Sequence, residues 1–142
     1  MPISIPRYTR VFLISTVALF SLSIGLALGL GLDMPPGLTT ILAAMIAADR
    51  EGRALARDTG RLLEGSEALK AALAMTAIAF VFTAVLYIVQ LAIPGVASAL
   101  TDISRGFFYA LVGFLGLVVL LTNRIFLHNG MKTELSRQAA KD

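Results

Sequence analysis

Charged residues are missing from long parts of this sequence, and cysteine is missing from all of it. The 142 residues are 57% hydrophobic and 15% charged, whereas about a quarter of the residues in soluble domains are charged. The absence of cysteine excludes disulfide bonds, thiol catalysis and thiolate metal sites. Four long stretches contain no charged residue: Val11–Leu32, Met34–Ala48, Ala71–Leu100 and Gly106–Asn123. This pattern predicts an all-α integral membrane protein.

The four uncharged stretches predict four transmembrane helices in a single domain, at about 11–32, 34–48, 71–93 and 106–127. The first would be about 33 Å long, enough for a hydrocarbon core of about 30 Å. It is also too long for the apolar part of a signal peptide, so we expect it to be retained. The second is short, at about 22 Å. We expect Asp33 to cap it and Pro35-Pro36 to occupy its first turn, where missing N–H groups are tolerated.

Helix-favouring residues continue beyond Asp49 to Leu63, so we expect the second helix to project into a cytosolic loop, 49–70. Four arginines of this extension share one helical face because their spacing is three, four and four: Arg50, Arg53, Arg57 and Arg61. Two interpretations stay open. The face is either solvated and sets the topology, or it docks anionic lipid headgroups or an acidic subunit.

The Lys and Arg residues predict the orientation in the membrane. Eleven of the twelve lie at the N-terminus, in the loop 49–70 or in the tail 128–142 and its approach, and only Arg105 lies on the other side. Both termini are therefore predicted to be cytosolic. If the second stretch were instead a re-entrant hairpin, three spans would divide these residues three to nine. The larger asymmetry favours four spans.

Residues that carry chemistry are scarce inside the predicted spans. No span interior contains an ionisable group, which proton- or ion-coupled carriers need, and the first span lacks the glutamate expected of four-span multidrug carriers. The single histidine, His128, lies beyond Arg124 at the predicted cytosolic end. We therefore predict no catalytic, cofactor-binding or metal-binding residues and no enzymatic activity. Dispersed basic residues also predict no nucleic-acid partner.

Small residues recur along two of the predicted helices. In the first span they lie four apart, at Ser21, Gly25 and Gly29, and in the fourth span three apart, at Ala110, Gly113 and Gly116. Such faces let helix backbones approach closely in lipid. They are interpreted either as packing within the protein's own bundle or, for at least one face, as the contact with a partner's helix.

The segments together resemble a little-characterised family of four-span bacterial inner-membrane proteins. The resemblance is carried by Pro35-Pro36-Gly37-Leu38-Thr39, by Ala43-Ala44 and Ala47-Ala48, and by Gly60-Arg61 and Glu67 leading into the third span. It implies a fold and a multi-pass location in the bacterial inner membrane. It implies no activity, cofactor or site residue.

The predicted function is that of a non-catalytic accessory, assembly or stabilising subunit of a larger membrane complex, with respiratory and photosynthetic complexes as candidate hosts. Its expected partners are membrane lipids and other integral membrane proteins, and self-association stays open. One alternative is a small oligomeric transporter or channel with a polar path along Ser21, Thr76, Thr83 and Gln90. A second is a protein that binds anionic lipid through the arginine face.

Overall fold

A computed structural model of the protein describes residues 3–32, 34–35, 37–91 and 104–140, without the side chains of residues 87, 89–91 and 105. Over these residues the chain is helical, which confirms the all-α prediction. The helices are α1 (Ile5–Leu30), α2 (Leu38–Thr59), α3 (Gly65–Leu91) and α4 (Arg105–Ala139). Within the part described, α1, α3 and α4 are long and apolar enough to cross a membrane, and α2 is not. The fold is therefore that of a membrane-embedded protein, and the fourth span stays a prediction.

α1 ends at Leu30 and is capped by a glycine in the left-handed conformation, Gly31, whose φ is 65°. Its N–H donates to the carbonyl oxygen of Ala27 at 3.1 Å, and the N–H of Leu32 donates to that of Leu26 at 3.3 Å. These two bonds satisfy carbonyl groups that the helix end would otherwise leave without donors. The helix thus ends two residues before the predicted limit. At its other end it begins at Ile5 and includes Arg7 and Arg10.

α2 begins later than the sequence predicts, at Leu38 rather than Met34. A residue that precedes a proline disfavours the helical conformation. Met34 and Pro35 each precede a proline, which accounts for their non-helical backbone. Asp33 and Pro36, predicted to cap and open the helix, lie outside the described residues. α2 then runs through Asp49 to Thr59 without interruption. The predicted helical extension past the uncharged stretch is therefore observed, although it ends before Leu63.

α2 runs antiparallel to α1 and parallel to α4. Glu51 contacts the backbone of Ser4 and the side chain of Arg7, while Gly37 lies beside Leu115, ten residues into α4. α2 therefore starts about 15 Å along α4 from its first residue. Counted from the contact between Arg7 and Glu51, α1 continues about 15 Å beyond the start of α2. The last part of α1 consequently has no α2 alongside it.

α4 continues past residue 127, where the fourth helix is predicted to end, and runs through Asn129-Gly130 to Ala139. The predicted tail is therefore largely a helical continuation that packs on α2. Gly130 is buried against Asp49 of α2, so this glycine makes a close helix contact rather than a stop. The predicted end of the third helix, near residue 93, lies outside the described residues. The apolar core between these helices is dominated on the α2 side by small side chains, Ala43, Ala44, Ala47, Ala48 and Ala56.

Candidate interaction surfaces

A buried carboxylate ties the start of α1 to α2. The side chain of Glu51 has no exposed surface, and Arg7 Nε donates to its Oε2 at 2.6 Å. Its Oε1 accepts from Arg7 Nη2 at 3.0 Å and from the backbone N–H of Ser4 at 2.7 Å. Both oxygens are thus satisfied, as burial of a charge requires. Sequence reasoning missed this site, although Glu51 follows Ala47 and precedes Leu55 at helical spacing on the buried face of α2.

Three of the four arginines on the predicted face form ion pairs with acidic side chains of the same chain. Arg53 pairs with Asp49 at 2.8 Å, and Arg57 donates to both carboxylate oxygens of Glu134, at 2.7 and 3.2 Å. The Glu134 contact raises the pKa of Arg57 above its ordinary value. Arg61 pairs with Glu67 at the start of α3 at 3.0 Å. Of the four arginines, only Arg50 forms no ion pair among the described residues.

A chain of polar side chains crosses the apolar core and joins three helices. The hydroxyl of Tyr8 in α1 donates to Asn123 Oδ1 in α4 at 3.0 Å, and Asn123 Nδ2 donates to Thr76 Oγ1 in α3 at 3.1 Å. Thr76 itself donates to the carbonyl oxygen of Ala72 at 2.8 Å. Tyr8 and Asn123 are fully buried. Tyr8 therefore lies in the core of the helix bundle.

The small residues of α1 do not pack within the described bundle. Ser21, Gly25 and Gly29 are exposed, and apart from the local helix backbone no described atom lies within 4 Å of a Cβ placed on Gly25 or Gly29. These three residues, here called the α1 face, lie on the part of α1 that extends past α2. The small residues that bring backbones together inside the protein are instead Gly52 and Gly130.

The small residues of α4 divide between the two interpretations. Gly116 packs against α3, because a Cβ there would be 2.9 Å from the ring of Phe80. Gly113 has no described neighbour within 4 Å of its Cβ position, and Ala110 is exposed. One of the three residues therefore serves internal packing, and two face outward.

The hydroxyl groups proposed for a transport path lie in different surroundings. Ser21 is exposed on α1, whereas Thr76 belongs to the polar chain with Asn123. Thr83 lines a small apolar cavity of about 110 Å³ between the start of α2, α3 and α4. The side chain of Gln90 lies outside the described residues. The three described hydroxyls thus line no shared lumen.

A second, larger groove of about 410 Å³ lies at the charged end, between the start of α3 and α4. Its rim carries the polar side chains of Glu64, Arg124, His128 and Asn129. In the residues that can be described, no three metal-ligating side chains are grouped together.

Comparisons with known proteins find no relative of this chain. No family model, no curated protein and no solved structure matches it. The family resemblance stays a prediction, and so does the expectation that the protein has no enzymatic activity.

Proposed function

We propose that the protein is a non-catalytic accessory, assembly or stabilising subunit that binds another integral membrane protein through the α1 face. The observation that carries the proposal is the contrast between two sets of glycines. A neighbouring backbone takes the space that a Cβ would need at Gly52 and Gly130, whereas no described residue approaches within 4 Å of the Cβ position of Gly25 or Gly29. Apolar surface is not driven together in lipid as it is in water, so helices associate through close packing of small residues. An unfilled small-residue face is suited to that contact.

The membrane orientation belongs to the same proposal. The contacts of Arg7 with Glu51 and of Arg57 with Glu134 bring the N-terminal end of α1 and the C-terminal ends of α2 and α4 together. Eleven of the twelve Lys and Arg residues lie in or beside these segments. This supports four crossings with both termini in the cytosol, in a bacterial inner membrane. A respiratory or photosynthetic complex is our candidate host.

The two other candidate functions find less support. An anionic-lipid dock on α2 would need arginines that three acidic side chains of the chain already engage. A transport path would need polar groups that converge, and Ser21, Thr76 and Thr83 lie in different surroundings.

Purification from native membranes in mild detergent, followed by native mass measurement, tests the proposal. A complex in which this 15.1-kDa chain accompanies a larger membrane protein in fixed stoichiometry is the expected result. A monomer or self-oligomer without a partner would refute it.

Substitutions on the α1 face make the test specific. Gly25→Leu and Gly29→Leu should abolish recovery of the partner while leaving the fold intact, because no atom of the described residues lies near either Cβ position. Ala77→Leu, which places the same side chain on an exposed position of α3, is the matched control and should retain the partner. Equal recovery with all three variants would exclude the α1 face as the contact.

A further inference from the structure

The groove at the charged end combines a polar rim with an apolar floor. Glu64, at the end of the α2–α3 connection, faces the same groove as Arg124 and His128 of α4, and Leu63, Ala68 and Ile125 contribute apolar lining. None of the three charged or titratable side chains forms an ion pair within the described part of the chain. The groove therefore offers a single occupant one guanidinium and one carboxylate that lie outside the described ion pairs, although Arg61, itself paired with Glu67, is near enough to Glu64 to interact with it electrostatically.

Arg124 and Glu64 lie at different distances from the hydrocarbon core of the bilayer. Arg124 directly follows the uncharged part of α4, whereas Glu64 lies seven residues before the uncharged part of α3. The guanidinium is thus closer to the bilayer core than the carboxylate, and long arginine side chains reach the headgroup level from such positions. A phospholipid with a terminal ammonium has the matching order, because its phosphate lies nearer the acyl chains than its ammonium does.

An exposed apolar stripe continues from the groove into the membrane. Phe114, Leu117, Leu121 and Ile125 lie on one face of α4, because their spacing is three, four and four, and each is about half exposed or more. Ile125 belongs to both the groove and the stripe. A ligand whose polar end occupies the groove can therefore lay a hydrocarbon chain along the stripe.

We propose that this groove binds the headgroup of a phospholipid with a primary ammonium group, such as phosphatidylethanolamine. Arg124 and His128 donate to the phosphate, and Glu64 accepts from the ammonium. A quaternary ammonium has no N–H to donate to Glu64, and an anionic headgroup meets its carboxylate with a like charge. The groove should therefore discriminate against phosphatidylcholine and phosphatidylglycerol.

Native mass spectrometry of the full chain in an equimolar mixture of these three lipids, with identical acyl chains, tests the proposal. Phosphatidylethanolamine should be retained about two- to fivefold more than either competitor, the range expected for one partly exposed ion pair. Equal retention of all three lipids would overturn the proposal. So would binding of soluble phosphoethanolamine as tight as that of the lipid, because the apolar stripe would then contribute nothing.

Variants of Glu64 and Arg124 test which part of the headgroup each side chain binds. Glu64→Gln should remove the preference for phosphatidylethanolamine over phosphatidylglycerol, and Arg124→Gln should lower retention of all three lipids. Arg137→Gln removes an exposed arginine of the same helix outside the groove and should change neither property. If the groove variants behave like Arg137→Gln while all retain native helicity, the lipid does not bind at this site.

Discussion

Gly52 of α2 and Gly130 of α4 form a reciprocal contact between two parallel helices. A Cβ on Gly52 would overlap the carbonyl oxygen of Leu127 and lie 3.1 Å from the backbone nitrogen of Met131. A Cβ on Gly130 would overlap the carbonyl oxygen of Asp49 and lie 3.0 Å from its carbonyl carbon. Each glycine thus admits the backbone of the opposite helix. This close approach lets α2, which is not apolar enough to span a membrane by itself, pack against α4.

Gly52→Ala should destabilise the fold, because the added methyl group forces α2 and α4 apart. We expect the free energy of unfolding to fall by about 1–3 kcal/mol, the usual cost of overpacking. Reversible unfolding in mixed micelles measures it. Gly25→Ala is the matched control, since no described residue lies near its Cβ position, and it should be neutral or slightly stabilising. Equal effects of the two substitutions would contradict the assigned helix contact.

Arg7→Gln should weaken the attachment of α1 to α2, because it leaves the buried carboxylate of Glu51 without its cation. The expected loss in free energy of unfolding is about 1.5–3 kcal/mol. This loss is smaller than the loss from breaking a fully buried ion pair, because the Arg7 side chain is 37% exposed. Arg61→Gln, which removes a solvent-exposed pair, should have little effect. Adding Glu51→Gln to Arg7→Gln should recover part of the loss, and strictly additive effects would argue against a direct pair.

Asn123→Ala should destabilise the protein by leaving the buried hydroxyl of Tyr8 without an acceptor. We expect about 1–3 kcal/mol, the penalty for an unsatisfied buried polar group. Asn129→Ala, at an exposed position on the same helix, is the control. Adding Tyr8→Phe to Asn123→Ala should restore part of the stability, because the orphaned hydroxyl is then removed. A further loss of stability would show that the Tyr8 hydroxyl has another partner.

Single cysteines can report the topology without background, because the chain has none of its own. In four crossings, Ser4→Cys and Ser136→Cys react from the cytosolic side with a maleimide that does not cross membranes, and Thr101→Cys reacts from the other side. A three-span arrangement would place Ser4 and Thr101 on the same side and Ser136 opposite. Labelling in intact cells and in inverted vesicles separates the two arrangements.

The long apolar helices were predictable from sequence, because lipid requires uninterrupted runs of residues without charge and a backbone satisfied within the helix. The contact between Arg7 and Glu51 was not, since these residues are 44 positions apart and nothing local pairs them. Gly130 shows the same limit. After an asparagine it has the signature of a helix end, and only the position of Asp49 on α2 explains why the helix continues.

The two small-residue faces illustrate why the candidate site could be predicted only in part. Spacing places Ser21, Gly25 and Gly29 on one face, and the structure keeps them together. Whether that face is filled depends on where α2 starts, and the Pro35-containing segment before Leu38 delays that start. Periodicity within one helix contains no information on the length of its neighbour.

Photo-crosslinking from the α1 face in native membranes tests the central claim most directly. A benzophenone amino acid at Gly25 should form one abundant adduct with a larger membrane protein, whereas the same group at Ala77 on α3 should not. The yield from Gly25 should fall when Gly29→Leu is added. Adducts from both positions in equal yield, or an adduct with the mass of two copies of this chain alone, would contradict a partner-binding role for the face.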